Sequence, residues 1–520
     1  MGSNNKNSAP EQKTSVPDFL PVILQEQKPL ENGIGLPEDA EFLRELKKFL
    51  QKTLGQTENT ADSIFKYVGL LRYPTAEQNY MLYFLPKYYN LKSVKSADEI
   101  QNKKSRVYQH FRKVLKTIHK YRQEKIQTAI KENRLLSQAD PDTDAPFKST
   151  KDEIAVMLID NYLENGVYTN MKTRRTLCGN GEIDWQHTIN TVLPEIRDNT
   201  PYYFDYWTTD RVPNTETLIA RVHEAIIKDC SLTLTQWGIA ELLDLETPMP
   251  CEGDLSDFGD NEGIERIINQ ELSIQFVTQK QNLLKLMLSY IKSENISATE
   301  GVSMFGTGSF HAVWEKVCGS VFDNQLDKSI DSDLLPEDMK DKKIWSDIEA
   351  RSIWKINGSP TKQNGENGDD KEGSKLRPDF VALRKKDEKN SLKKDALYIL
   401  DAKYYVPKFS KNGVSGCPGV GDVNKQHLYQ LTYHPLIQKN NWQVVNAFLM
   451  PETTENSEDM KVEVICSLFE DLKTQIFSFV PIQTLFLNPD QLFDDYLDGK
   501  CCLENKLLKK LDEKLEKECG

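Results

Sequence analysis

The sequence predicts a mixed protein, α/β plus α+β, in which an N-terminal mixed α/β region precedes a C-terminal core made of a mixed sheet flanked by helices. Three observations lead there. The apolar run Tyr398-Ile399-Leu400-Asp401-Ala402-Lys403-Tyr404-Tyr405 follows a second strand pattern that opens on Arg377-Pro378-Asp379-Phe380. Ahead of both, Phe310, Val313, Trp314, Val317 and Val321 recur at helical spacing. Further upstream, residues 103–125 place lysines and arginines against the single acid Glu124, with Val107, Phe111, Val114, Leu115 and Ile118 on one helical face.

Length and composition bound the reading. At 520 residues the chain has room for two to four domains, and 38% hydrophobic with 28% charged residues describes a soluble globular protein. No apolar run approaches the ~20 residues that span a bilayer, and the polar N-terminus lacks a signal-peptide core, so no membrane role and a cytoplasmic location are expected. The nine cysteines are scattered without a C-x-x-C pair, which reads as structural thiols. A net charge of −13 argues against nonspecific coating of nucleic acid but leaves room for local basic patches.

Residues 1–33, polar and rich in Pro, Asn and Gln, are expected to form a flexible tail. Residues 34–145 read as an α+β module with a helix near 39–54, strands at 64–71 and 80–85, and the basic helix. Its charged face is either solvated or a phosphate-contacting element, and its His110 and His119 read as surface residues. A loop rich in Asp, Pro and Thr (138–150) leads to a mostly helical middle region, 146–263, assigned to target recognition. There Trp185 and Tyr202-Tyr203-Phe204 read as core aromatics. The acidic loop 251–263 marks the next boundary, after which one long helix over 264–296 opens the last domain, 264–520. That domain reads as a helix over 310–322 behind the start signal Gly306-Thr307-Gly308-Ser309, then strands within 343–356, 378–384 and 396–405. A helix over 423–434 stopped by Pro435 and a strand over 442–450 complete it, with 357–374 a flexible insertion.

In an extended strand Asp401 and Lys403 share a face while Leu400 and Ala402 point the other way. Charges in an apolar strand are costly unless something uses them. An exposed Asp401–Lys403 ion pair is the alternative, and the flanking Tyr398, Ile399, Leu400, Tyr404 and Tyr405 argue against exposure. Pro-Asp followed by Asp-x-Lys on adjacent strands resembles the PD-(D/E)XK nuclease core. Phosphodiester hydrolysis needs an activated water and charge stabilisation, which a carboxylate-held divalent cation supplies, and hard oxygen ligands favour Mg²⁺. The resemblance implies Asp379 and Asp401 as ligands with the Ala402 carbonyl as a third, and Lys403 to orient or deprotonate the attacking water. Glu315 would serve a second cation or hold metal-bound water, and Lys425 and Gln426 would contact the scissile strand.

More widely, Tyr67-Val68-Gly69, Phe84-Leu85-Pro86-Lys87-Tyr88, Asp160-Asn161-Tyr162-Leu163-Glu164-Asn165-Gly166, Gly181-Glu182-Ile183-Asp184-Trp185, Phe305-Gly306-Thr307, Trp314-Glu315 and Asn424-Lys425-Gln426 together resemble the LlaJI family of restriction endonucleases. The resemblance implies a bacterial enzyme that cuts double-stranded DNA at a short sequence while partner methyltransferases protect the host DNA. With one core per chain, duplex cleavage implies a homodimer on DNA, a second nuclease or successive nicking. Such proteins are similar to the nuclease subunit of McrBC-type machines, and some act beside an AAA+ partner. This chain has no G-x-x-x-x-G-K-[ST] loop, so any such motor is a separate polypeptide. The region before residue 265 would carry target recognition, with Lys87, Lys92, Lys95, Lys113, Lys116 and Lys120 on phosphates. The alternatives are an McrC-like subunit that cleaves only with its AAA+ partner, and a DNA-binding protein with a decayed nuclease fold.

Overall fold

The computed structural model describes residues 19–54, 64–131, 151–297, 304–351, 354–356, 359–361, 375–386, 394–410, 413–452, 464–466 and 480–500. The loop expected at 138–150, most of the insertion expected at 357–374, and residues 1–18 of the expected tail lie outside them. The chain divides into two compact units, Phe147–Phe305 and Phe19–Pro146 with Gly306–Gly520.

In the discontinuous unit, the N-terminal strands form one sheet in the order Phe19–Gln25, Asn79–Leu85, Val68–Pro74, Met304–Thr307. Phe19–Gln25 runs parallel to Asn79–Leu85 and buries Val22, Ile23 and Leu24, so the expected tail is a strand from residue 19 onward. A polar average over the first 33 residues masks this short apolar run. Gly306 passes so close to Tyr67 and Val68 that a Cβ would collide with the Tyr67 hydroxyl and the Val68 carbonyl.

The second sheet runs in the order Phe380–Arg384, Ala396–Ala402, Gln443–Pro451, Ile482–Leu487, Val464–Cys466. Its first pair is antiparallel, and Gln443–Pro451 lies parallel to both of its neighbours. The period-two pattern sorts side chains to two faces. Ala396, Tyr398 and Leu400 join Phe310, Val313, Trp314 and Val317 of the Phe310–Val321 helix in one core, and Leu397 and Ile399 join Tyr429, Tyr433 and Leu436 of the Val420–Asn440 helix in another. The first helix is fixed further by the Trp314 indole, which donates to the Leu449 carbonyl at 3.2 Å.

Four expectations change here. The strands described within 343–356 lie outside this sheet: Trp345–Asp347 is a 3₁₀ turn, Ala350–Arg351 pairs with Lys375–Leu376, and Trp354–Ile356 pairs with Ser359–Thr361. The helix expected to stop at Pro435 continues to Asn440, because Tyr433 and Leu436 are buried on either side of the proline and packing outweighs one lost backbone bond. The basic helix, Arg106–Lys131, belongs to the same core through Val114, Ile118 and Tyr121, so 34–145 is no separate module. Its His110 is only 3% exposed, held by Asp490 at 2.7 Å, and burial pushes His119 down to about 4.

The other unit packs the helices Lys151–Asn165, Leu218–Gln236, Asn261–Ile274 and Thr278–Ser297 against one another, and buried His223 of the second accepts the Tyr168 N–H at Nδ1 at 2.9 Å. The expected helix over 264–296 is thus two helices, and both belong to this unit, which moves the boundary from 263 to about residue 305. The middle region also carries a three-stranded sheet of Asn170–Leu177, Trp207–Asn214 and Glu182–Ile183. Trp185, Tyr202 and Phe204 are exposed there, contrary to their reading as core aromatics.

Candidate active site

The strand register builds the site. Phe380 pairs with Leu400, so the next step outward along both strands sets Asp379 opposite Asp401. Pro378 is buried ahead of Asp379, and Asn324 clamps the turn: its Nδ2 donates to the Asp379 carbonyl at 3.0 Å while its Oδ1 accepts the Val381 N–H at 3.3 Å. Asp379 Oδ2 accepts the Ala402 N–H at 3.2 Å, which locks its carboxyl against the partner strand. Asp401 is 3% exposed.

Lys403 lies one step past the strand end, its N–H bonded to the Leu449 carbonyl at 2.9 Å, and it returns to the face of Asp401. Its ammonium sits 2.9 Å from Asp401 and 3.4 Å from Asp422 at the start of the Val420–Asn440 helix. The Tyr405 hydroxyl reaches the same Asp422 at 3.5 Å. Gln426, one turn later, is fully buried and donates to the Ile399 carbonyl at 3.0 Å, so this side chain buttresses the strand and does not present itself to a ligand. Lys425 beside it is exposed.

The electrostatics are unbalanced toward negative. Burial, the hydrogen bond to Asp401, and the charges of Asp401 and Glu315 push Asp379 up to about 9. Burial alone would lower Lys403, but Asp401, Asp379 and Asp422 outweigh it and raise its ammonium above the ordinary lysine value. Two carboxyls pressed together with more acid nearby than one lysine offsets form a donor set that suits a hard cation. Among the described residues no three His, Cys, Asp or Glu side chains converge as a ready-made metal cage. Glu315 is exposed on its helix and acts on Asp379 through charge.

Sequence reasoning therefore finds Asp379, Asp401 and Lys403, and the structure brings these together with the Ala402 backbone. It misses Asn324 and Asp422, since nothing in their spacing shows that either folds back onto the strand pair. Two of the lysines assigned to phosphates on the basic helix have protein partners. Lys113 pairs with Asp494 at 2.6 Å, and Lys120 donates to the Tyr496 and Leu497 carbonyls at 2.6 and 3.2 Å. Burial and the neighbouring Arg112 lower the ammonium of Lys116. A basic helix face looks the same in sequence whether it meets DNA or the acidic Pro489–Leu497 helix. No helix of the described residues is long and apolar enough to cross a membrane.

Comparison with known proteins places the chain in a family. The chain is 28% identical over 460 residues to the Bacillus subtilis (strain 168) protein named type II restriction enzyme BsuMI component YdjA, covering 88% of this chain and 85% of the relative. The family model described as LlaJI restriction endonuclease matches residues 67–487, a span that runs from the N-terminal sheet through the Asp379–Asp401–Lys403 cluster to the last core strand, and the chain belongs to that family.

Proposed function

We propose that this chain is a metal-dependent endonuclease that cuts double-stranded DNA at a specific sequence within a restriction-modification system, using a PD-(D/E)XK-type core. The observation that carries the reading is the juxtaposition of Asp379, Asp401 and Lys403 at the end of one antiparallel strand pair, in a chain of a restriction endonuclease family. Asp379, Asp401 and the Ala402 carbonyl would hold Mg²⁺, with Glu315 able to hold water or a second ion. When bound, the ion supplies charge stabilisation at the phosphate and lowers the pKa of a water molecule.

The chain's own residues then divide the remaining work. Lys403, whose ammonium its three acidic neighbours favour, would orient or deprotonate the attacking water and offset phosphate charge. Asp422 gives the lysine a second carboxylate partner, and Asn324 fixes the Asp379 turn. Lys425, which is exposed, would contact the scissile strand. The relative's name calls it a component, which supports further proteins acting with this chain: cognate methyltransferases, a second nuclease copy, or an AAA+ subunit.

The test is cleavage of plasmid DNA by the purified chain with Mg²⁺, followed by sequencing of the ends, with Asp401→Asn in parallel. The variant should lose at least about 10³-fold in rate, the scale of losing a preorganised charge at a reacting centre. Cleavage that survives in Asp401→Asn would refute the site. Cutting seen only after adding a nucleotide-hydrolysing partner would assign the chain as the subunit of a larger machine.

A further inference from the structure

Lys87 is a cation that the site described above does not use. It follows the Asn79–Leu85 strand and is half-buried, with its ammonium 4.3 Å from the centre of the Tyr404 ring, 6.0 Å from that of Tyr405 and 3.3 Å from Gln27 Oε1. Its backbone N–H lies 3.4 Å from Glu26 Oε2 and 3.2 Å from the Tyr404 hydroxyl, which itself donates to Glu26 at 2.6 Å. The buried Glu26 carboxyl is thus engaged by a hydroxyl and an amide. Among the described residues the Lys87 ammonium has no carboxylate at ion-pair distance, and its hydrogen-bonding partner is one neutral amide oxygen.

A lysine that folds over tyrosine rings only to cover them sends its head group into open water. Lys87 keeps its head partly withdrawn, and burial lowers its ammonium. Three N–H donors with a single neutral acceptor leave room for an anion. The position is informative as well. Tyr404 and Tyr405 directly follow Lys403, and the Tyr405 hydroxyl reaches Asp422, the second partner of Lys403. One tyrosine side chain therefore lies between the Lys87 ammonium and the Lys403–Asp422 pair, which puts a cation beside the position where the scissile phosphate would sit.

We propose that Lys87, seated on the Tyr404 and Tyr405 rings, binds the DNA phosphate adjacent to the scissile one, so that the N-terminal sheet forms part of the catalytic cleft. This inference rests on the DNA-cleavage reading above. The test uses the full chain as wild type, Lys87→Met and Lys87→Arg, on duplex DNA carrying the mapped cleavage site, with methylphosphonate replacing one phosphate at a time around the cut. Lys87→Met should raise KM about tenfold with a smaller change in kcat, reduce the slope of log affinity against log salt by about 1, and be largely rescued in Lys87→Arg. One methylphosphonate beside the scissile position should weaken the wild type and leave Lys87→Met unaffected. Equal losses for both proteins at every position would overturn the proposal while leaving the nuclease reading intact. A wild type that does not cleave under any metal and partner condition would remove that reading, and the inference with it. Melting curves report whether Lys87→Met folds, and Lys87→Gln carries the same comparison if it does not.

Discussion

Asp379 is the residue on which the cost of the site falls. Its carboxyl is held against Asp401 and the Ala402 N–H with little water around it, and without a cation its neutral form is favoured, with the pKa pushed up to about 9. The sign of the linkage follows. A carboxyl whose folded pKa lies above its unfolded value near 3.9 leaves the folded state holding a proton that the unfolded chain has released, so stability declines as pH rises from about 4 to about 9. Asp379→Asn cannot ionise and escapes that decline. In EDTA the variant should therefore melt above the wild type at pH 8, with the gap closing toward pH 4, as read by scanning calorimetry. An equal or lower melting temperature at pH 8 would show that Asp379 is not held in this strained state. In the same variant cleavage should be lost, so that stability and activity move in opposite directions, as expected where a fold retains strain for function.

At the scale of elements, the strand pair was legible because two independent signals agreed: a continuous apolar run over Ala396–Leu400, which the structure buries on both faces, and an Asp-x-Lys placed where only a functional charge is tolerated. The Phe310–Val321 helix was legible from its apolar stripe, which the structure buries. Within 343–356 the stretch 343–349 was not, because apolar residues such as Trp345 and Ile348 fill a core from a 3₁₀ turn as well as from a strand, and a short window does not separate the two. Pro435 misled for a different reason. The rule that proline ends a helix describes a local cost of about 3 kcal/mol, and the Val420–Asn440 helix outweighs it by burying Val423, Tyr429, Tyr433 and Leu436 against the sheet. The cost is still present, since the Leu431 carbonyl can receive no N–H from residue 435. Pro435→Ala restores that donor and loses a smaller entropic benefit in the unfolded chain. It should stabilise the protein by about 2 kcal/mol, raising the melting temperature without altering cleavage. A lower melting temperature would mean that the proline ring itself packs in a way the helix needs.

For the whole molecule, the division of labour follows shared cores more closely than chain order. Sequence reading placed boundaries at composition shifts, 145 and 263, yet Val68, Tyr88, Val114 and Ile118 from the first quarter of the chain pack in one cluster with Trp314, Tyr398, Leu449 and Phe493. Contacts between segments so distant in sequence leave no local periodicity to read, and the long insertion between them hides the connection further. The site inherits this dependence, because Tyr404, which follows Lys403, is held by Glu26 and packs against Tyr88 and Phe310. A fragment of residues 306–520 alone would expose the faces that Val68, Tyr88 and Val114 cover and leave the Tyr404 hydroxyl without its buried acceptor. Residues 147–305, in contrast, form a compact unit with a core of their own around Leu158, Ile226, Ile268 and Leu284. Expressed separately, 147–305 should be soluble and melt cooperatively, whereas 306–520 should aggregate unless 19–146 is supplied alongside it, and cleavage activity should follow that reconstitution. A soluble, cooperatively melting 306–520 fragment that cuts DNA by itself would show that the N-terminal sheet is dispensable to the catalytic core, and would contradict both the shared core and the place of Lys87 in it.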